Sequence, residues 1–324
     1  MASEFDRIAR LRRRFGAPPP PSLGVGDDAA VLASPLPLVV TVDAAVEDVH
    51  FSRALLSLRD AAARAIAAAV SDIAAMGARV DLPGCGLVLS WTLPRALTES
   101  DFDALVEGSA DEADRLGVVI VGGNLSGGDA LALHTTVLGR ADGPVLTRAG
   151  ARPGDVLAVT GSPGAASIGF AALREGRDDA RTERCVRAWR RPTPRLDEGR
   201  AIAGRATACV DVSDGLAQDA AHVASASGVS LVIEVASLPV DETVRALAGS
   251  LSIDAEHAAL HGGEDYELLA TGPASAFDAR WTVIGAARAF DGHPVWLRRD
   301  GVNTPLPPRG WDHFSDQGRG SSSS

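Results

Sequence analysis

Short apolar runs bounded by glycine, proline and aspartate alternate along this chain with longer stretches whose apolar residues recur every three to four positions. That is the pattern of strands and helices taking turns. LVVTVD (38–43) reads as a strand. Residues 57–76 read as a helix, with a Ser57-x-x-Asp60 cap and a stop at Gly77. GLVLSWTL (86–93) is a second strand, and Thr98 opens a second capped helix running toward Leu116 and ending at Gly117. VVIVGGN and LALHTTVLG follow as strands. The stretch from Arg140 to Asp155 is rich in glycine and proline and marks the expected domain boundary. Alternation then restarts with DVLAVTG, a helix opened by Ser162-Pro163 and further helices up to Arg205. After ACVDVS come a helix over 214–226, VSLVIEV, two short helices, and the strands YELLATG, WTVIGAA and PVWLRR. The expected fold class is α/β (α+β), with mixed sheets covered by helices. The expected division is an amino-terminal domain over 1–147, a carboxyl-terminal domain over 148–314 and a disordered tail over 315–324.

Composition narrows the function. The 324 residues exceed a usual single core. Net charge is −11 and lysine is absent, which excludes a Walker-type phosphate loop. An acidic chain is a poor nonspecific ligand for nucleic acid or an anionic membrane, so neither is expected as a partner. A polyanion such as ATP would need metal ions between the like charges. Cys85, Cys185 and Cys209 lack the spacing of a zinc or redox site and are expected as buried thiols in a reducing cytosol. The first residues, MASEFDRIARLRRRFG, have no apolar core of a signal peptide, and the cluster Arg10–Arg14 reads as a solvated helix. The expectation is a soluble, cytoplasmic protein.

Five acidic motifs beside glycines or small residues carry the candidate chemistry: GVGDDAAVL, TVDAAVEDVHF, SDIAAMGA, DVSDGL and GGEDYELL. Asp27 and Asp28 are adjacent in the first, as a metal site or as a structural turn. Strand alternation puts Thr41 and Asp43 on one face, as cation ligands or as a strand edge. Asp72 stands near the carboxyl end of an alanine-rich helix, where the macrodipole disfavours an anion, so a cation should compensate, be it a metal or an arginine. In DVSDGL, Asp211 and Ser213 share a strand face. Asp214 stands at the helix start, where capping is the simpler reading for that residue alone. GGEDYELL offers Glu264 and Asp265 at a tight turn. Together, with no nucleophile motif in the chain, they favour a magnesium-dependent phosphate site.

The ordered set GDDAAVL, SDIAAMGA, LTRAGARPGD, RRPTPR, DVSDGL, GGEDYELL and GWDHF, spanning Gly24 to Phe314, resembles the thiamine-monophosphate kinase family, within the aminoimidazole ribonucleotide synthetase-like superfamily. The resemblance implies two α/β domains, dimerisation through amino-terminal strands to a homodimer, and ATP in the cleft between the domains. It implies that Asp28, Thr41, Asp43, Asp72, Asp211 and Asp214 bind several Mg2+ ions, Asp72 and Asp214 being the catalytic pair. Gly123, Arg148 and Ser213 fall near ATP, and His50, Glu264 and Trp311 near thiamine monophosphate. Val42 replaces a frequent hydroxyl residue and Asn124 a frequent aspartate. The Val42 carbonyl and the Asn124 amide oxygen remain as ligands, Asn124 also facing ATP, with one negative charge fewer. The implied reaction is phosphorylation of thiamine monophosphate to thiamine diphosphate. Another ATP-using superfamily member and a nucleotide-binding regulatory paralogue are the alternatives.

Overall fold

The computed structural model describes residues 30–32, 36–81 and 83–308. Asp27, Asp28, Trp311, the Arg10–Arg14 cluster and the 315–324 tail lie outside the described residues. Two sheets and one helix between them organise the chain. The first sheet contains β1 (Ala30–Leu32), β2 (Leu38–Val46), β3 (Gly86–Pro94), β4 (Ile120–Gly128) and β5 (Ala132–Arg140), in the order β1-β2-β5-β3-β4. All its pairs are antiparallel except β3 with β4. The second contains β6 (Val156–Thr160), β7 (Ala208–Val212), β8 (Val229–Glu234), β9 (Glu267–Gly272), β10 (Trp281–Ala289), β11 (Val295–Arg299) and β12 (Val302–Pro305). Its order is β12-β11-β8-β10-β6-β9-β7, with β11 and β8 the one parallel pair. Both sheets are mixed, as expected. The first ends at Arg140 and the second begins at Val156, on either side of the glycine- and proline-rich segment.

The helix between the sheets is α1 (Leu58–Ala75). Ser57 accepts a hydrogen bond from the Asp60 amide at its start, a cap worth about 1 kcal/mol. All its residues except Arg59, Asp60 and Asp72 are buried, which identifies a helix covered on every side rather than an amphipathic surface helix. One face meets β2 and β5, and the other meets β7, β9 and a later helix. Its many alanines follow from this: with sheets on both sides, only small side chains let the layers approach. Ala74 and Ala75 sit in a cluster with Leu146 and with Ile202, Cys209, Leu268 and Trp281 from the second half of the chain. A Cβ on Gly199 would stand 2.0 Å from the Ala74 carbonyl oxygen, so glycine there sets the closest approach.

The second helix, α2 (Glu99–Leu116), has a full capping box between Thr98 and Asp101 and ends on left-handed Gly117, as the sequence predicts. It packs on α1. Beyond the boundary come α3 (Ala165–Arg174), α4 (Glu183–Arg190), α5 (Leu196–Ile202), α6 (Leu216–Ser227), α7 (Glu242–Ser250) and α8 (Ala255–His261). β7 and β9 are buried along their whole length because α1 covers one face and α6 the other. The RRPTPR segment is a strut between layers. Arg191 pairs with Asp60 of α1 at 2.6 Å. Arg195 grips Glu267 with two bonds of 2.7 and 2.6 Å, and Thr160 donates to the same carboxylate. Glu267 is buried, so losing Arg195 would strand a charge at a cost of about 3 to 5 kcal/mol. Cys185 and Cys209 are buried free thiols as expected, whereas Cys85 is half-buried.

Candidate active site

Two neighbouring residues of α1 join the acidic strands of both sheets. Thr41 of β2 donates its hydroxyl to Asp72 at 2.5 Å. Ser71 donates its hydroxyl to Asp211 of β7 at 2.7 Å. Consecutive helix positions point about 100° apart, so Ser71 and Asp72 reach opposite layers from one turn. Thr41, Asp72 and Asp211, far apart in sequence, are therefore linked through two neighbouring residues of one helix. The last turn of α1 carries no basic residue, so no side chain of that turn offsets the unfavourable end of the helix dipole beside Asp72. Asp211 is 3% exposed. Asp43, two residues along β2 from Thr41, accepts from the Ala44 amide at 2.7 Å and acts electrostatically on Arg64 and Tyr266, as Asp211 does on Tyr266.

The DVSDGL turn corrects one sequence reading. Asp214 does not cap α6; Gly215 occupies the N-cap position without a side-chain bond. The turn is instead held from inside the helix: one Asp219 oxygen accepts from the amides of Ser213, Asp214 and Gly215 at 3.1, 3.2 and 3.2 Å. A capping carboxylate supplied five residues downstream leaves the Asp214 side chain to other work. Ligand atoms of Asp214, Asp219 and His222 lie within 4.8 Å of one another. Burial, with Arg148 nearby, pulls the His222 pKa down to about 4, so the imidazole is neutral at neutral pH. Arg148 therefore acts electrostatically on α6 at His222. Its own loop is fixed by Ser227, which donates to the Arg148 carbonyl and accepts from the Gly150 and Ala151 amides.

The GGEDYELL turn locks onto DVSDGL through its backbone. The Glu264 amide donates to the Ser213 carbonyl at 2.7 Å and the Tyr266 amide to that of Val212 at 2.9 Å. A Cβ on Gly263 would stand 2.4 Å from the Ser213 oxygen, so the contact requires glycine. Glu264 and Tyr266 both adopt left-handed backbone, φ 68° and 52°, costing about 1 to 3 kcal/mol each. The structure separates the two carboxylates that the sequence offers here. Asp265 turns inward and accepts from the Gly164 and Ala166 amides at the start of α3. Burial pushes its pKa up to about 8 against those two donors. Glu264 turns toward α1, where Arg64 meets it at 2.6 Å, and the Trp189 indole donates to it at 2.8 Å.

The other four described candidates lie on the first sheet or in the turn that follows β2. Gly123 and Asn124 lie on β4, the outer strand. Gly123 aligns with Leu89, Thr135 and Asp43 in one row across the sheet, three strands from Asp43 and so about 14 Å away. Asn124 lines a recess of about 260 Å³ with Leu89, Trp91 and Phe102. The Val42 residue is 66% exposed, so its hydrocarbon side chain faces out and only its carbonyl is chemically suited to a cation. His50 accepts the Val46 amide through Nδ1 at 3.1 Å, which holds the turn after β2. Sequence reasoning missed Arg64, Ser71, Trp189 and Asp219. The available signal for Arg64 was a charge in the middle of an otherwise alanine-rich buried run, and for Ser71 its place at the head of SDIAAMGA; Trp189 and Asp219 had none without a partner in space.

Residues 26–141 match the family described as AIR synthase related protein, N-terminal domain, and residues 152–275 match its C-terminal domain. A thiamine-monophosphate kinase of Mycobacterium tuberculosis is 38% identical over 320 residues, covering 97% of this chain and 92% of that protein. The chain belongs to the thiamine-monophosphate kinase family. The Escherichia coli member is 34% identical, with 97% of each chain covered. A solved structure described as AaThiL complexed with AMPPCP and TMP superposes with a TM-score of 0.88 at 29% identity, over 96% of this chain and 97% of that one. A thiamine-monophosphate kinase family member thus carries its Thr41–Asp72 and Ser71–Asp211 pairs in the two-domain frame common to these relatives. No helix among the described residues is long and apolar enough to cross a membrane.

Proposed function

We propose that this chain is a cytoplasmic, ATP-dependent kinase that transfers the terminal phosphoryl group of ATP directly to the phosphate of thiamine monophosphate, giving thiamine diphosphate and ADP. The observation that carries the reading is the pair of bonds from adjacent residues of α1, which tie the Asp72 carboxylate to Thr41 of the first sheet and Ser71 to the Asp211 carboxylate of the second. The donors on Thr41, Asp43, Asp72, Asp211 and Asp214 are hydroxyl and carboxylate oxygens, which suit a hard cation such as Mg2+. Asp43, Asp72, Asp211 and Asp214 would hold several such ions, with Thr41, the Val42 carbonyl, the Asn124 amide and Asp28. Bound magnesium supplies charge neutralisation between the two polyanions. Arg148 and the Ser213 hydroxyl bind ATP phosphates, Gly123 leaves room for the nucleotide, and His50, Glu264 and Trp311 contact thiamine monophosphate. The amino-terminal domain spans 1–147 and the carboxyl-terminal domain 148–314.

The acceptor phosphate carries its own nucleophile. Its second pKa is near 6, so at neutral pH an unprotonated oxygen is ready for in-line attack without a base. What the protein adds is position: Asp219 and Ser71 fix the carboxylate-bearing turns so that two anionic groups meet in line. A coupled assay with ATP and thiamine monophosphate tests the reaction. ATP binding without turnover would identify a regulatory paralogue and sink the kinase reading. The neutral amide of Asn124 is expected to weaken magnesium binding. Asn124→Asp should therefore lower the magnesium concentration for half-maximal rate, and an unchanged midpoint would remove Asn124 from the metal site.

The same reading includes a homodimer through the first sheet. Val42, Val119, Val121 and Leu125 are 66, 66, 60 and 58% exposed, and β4 is exposed along nearly its whole length. An apolar edge strand left open in a single chain invites a second copy. Sedimentation is expected to give twice the 33.3 kDa chain mass; a single monomeric species at micromolar concentration would overturn this.

A further inference from the structure

Glu264 is held more completely than any turn needs. Its Oε1 meets the Arg64 guanidinium at 2.6 Å and its Oε2 takes the Trp189 indole N–H at 2.8 Å, so each oxygen has its own dedicated partner. Both partners are sunk in the core: Arg64 is 5% exposed and Trp189 1%, while the Glu264 side chain is 39% exposed. Arg64 also donates to the Trp189 carbonyl, and its guanidinium lies 5.0 Å from the Trp189 ring and 5.7 Å from that of Tyr266. The three residues come from α1, α4 and the GGEDYELL turn, so the contact spans both halves of the chain. Burial works against the charge on Arg64, and the anion of Glu264, with Tyr266 and Asp43 behind it, more than offsets it. A buried ion pair is a poor means of stabilising a fold, since apolar residues of the same volume do as well or better. It is a good means of fixing one carboxylate in one orientation. Each carboxylate oxygen has two lone pairs and the buried partners take one on each, which leaves acceptor capacity on the exposed edge.

We infer that Arg64 and Trp189 are positioning residues that hold the exposed edge of the Glu264 carboxylate toward the organic part of the acceptor, where it recognises an amino group or a cationic heteroaromatic ring. The inference rests on the reading of Glu264 as an acceptor contact. It assigns to α1 a double duty: Asp72 at its end serves the phosphates and Arg64, two turns earlier, serves the rest of the acceptor. Loss of either buried partner frees the carboxylate to rotate and weakens acceptor binding with little effect on ATP.

The test compares Trp189→Phe, Arg64→Gln, Arg64→Lys and Glu264→Gln, each checked by thermal melting. The readouts are KM for thiamine monophosphate and for ATP, and thiamine monophosphate binding by calorimetry, which does not depend on turnover. Trp189→Phe keeps an aromatic ring in the core and removes the indole donor. It is expected to raise acceptor KM and Kd about fivefold, the loss of one hydrogen bond, with ATP KM within about twofold. Arg64→Gln should raise acceptor KM more than tenfold, and Arg64→Lys, which keeps the charge, should recover part of it. If Arg64→Gln does not fold, Trp189→Phe and Arg64→Lys decide. Unchanged acceptor binding in those two, or equal changes for both substrates, overturns the positioning role while an effect of Glu264→Gln alone leaves Glu264 at the acceptor. No effect of Glu264→Gln removes Glu264 from the acceptor site, and the inference with it.

Discussion

Asp72→Asn is expected to lower kcat roughly a thousandfold, the scale of losing a group that acts on charge in the transition state, while the melting temperature stays within about 3 °C of wild type. The substitution is nearly isosteric, and the amide oxygen can still accept the Thr41 hydroxyl that Asp72 now accepts at 2.5 Å. What it removes is one negative charge at the carboxyl end of α1, where the helix dipole already opposes an anion and the last turn offers no basic residue. On dipole grounds alone the neutral side chain should be slightly stabilising. Retention of a carboxylate there makes sense if it balances cations brought by the substrate complex. The experiment is a steady-state assay over a range of magnesium concentrations, paired with a melting curve. Activity within tenfold of wild type at saturating magnesium would remove Asp72 from the metal-binding set, and a large drop in melting temperature would make its role structural.

Unphosphorylated thiamine is expected to react at no more than about a thousandth of the rate of thiamine monophosphate, because a hydroxyl acceptor needs a general base and general-base catalysis is worth about two to four orders of magnitude. Neither His222 nor His50 is placed to provide one. His222 lies beside Asp214, but burial and Arg148 pull its pKa down to about 4, which makes it a weak base at neutral pH. His50 uses Nδ1 to accept the Val46 amide. The phosphate acceptor avoids the difficulty, being largely deprotonated above its second pKa near 6. The kinase rate should accordingly fall as pH drops through about 6, as the acceptor oxygen takes up its proton. Turnover of thiamine within tenfold of the phosphorylated acceptor would reveal a base in the site and replace this mechanism.

Much of the fold was legible because its signals are local. The Ser57 cap, the Thr98–Asp101 box and the stops at Gly77 and Gly117 each act within one helical turn, and the helices begin and end where those residues predict. The strands with long apolar runs, such as VLAVT and ELLAT, are buried on both faces and so carry an unmistakable composition. β12, four residues ending in proline at a sheet edge, has no such run, and nothing in VNTP separates it from a loop until it pairs with β11.

The candidate site divides along the same line. Sequence by itself determined the family resemblance, the oxygen-rich chemistry and the acidic motifs, since residue type and near-neighbour spacing are enough to specify them. It did not determine which carboxylates work together. Asp214 looked like a cap, because only the folded turn brings Asp219 back to take that role. Asp265 looked equivalent to Glu264, and only the start of α3 draws one inward while α1 draws the other toward Arg64. Asp72 and Asp211 are 139 positions apart in the sequence, yet α1 carries Asp72 and the Ser71 that holds Asp211 as neighbours. Caps, turns and strand composition depend on interactions a few residues long, and the chain spells them out. Partnerships between layers depend on how closely two sheets can approach a helix of alanines, and that distance is set by packing in three dimensions.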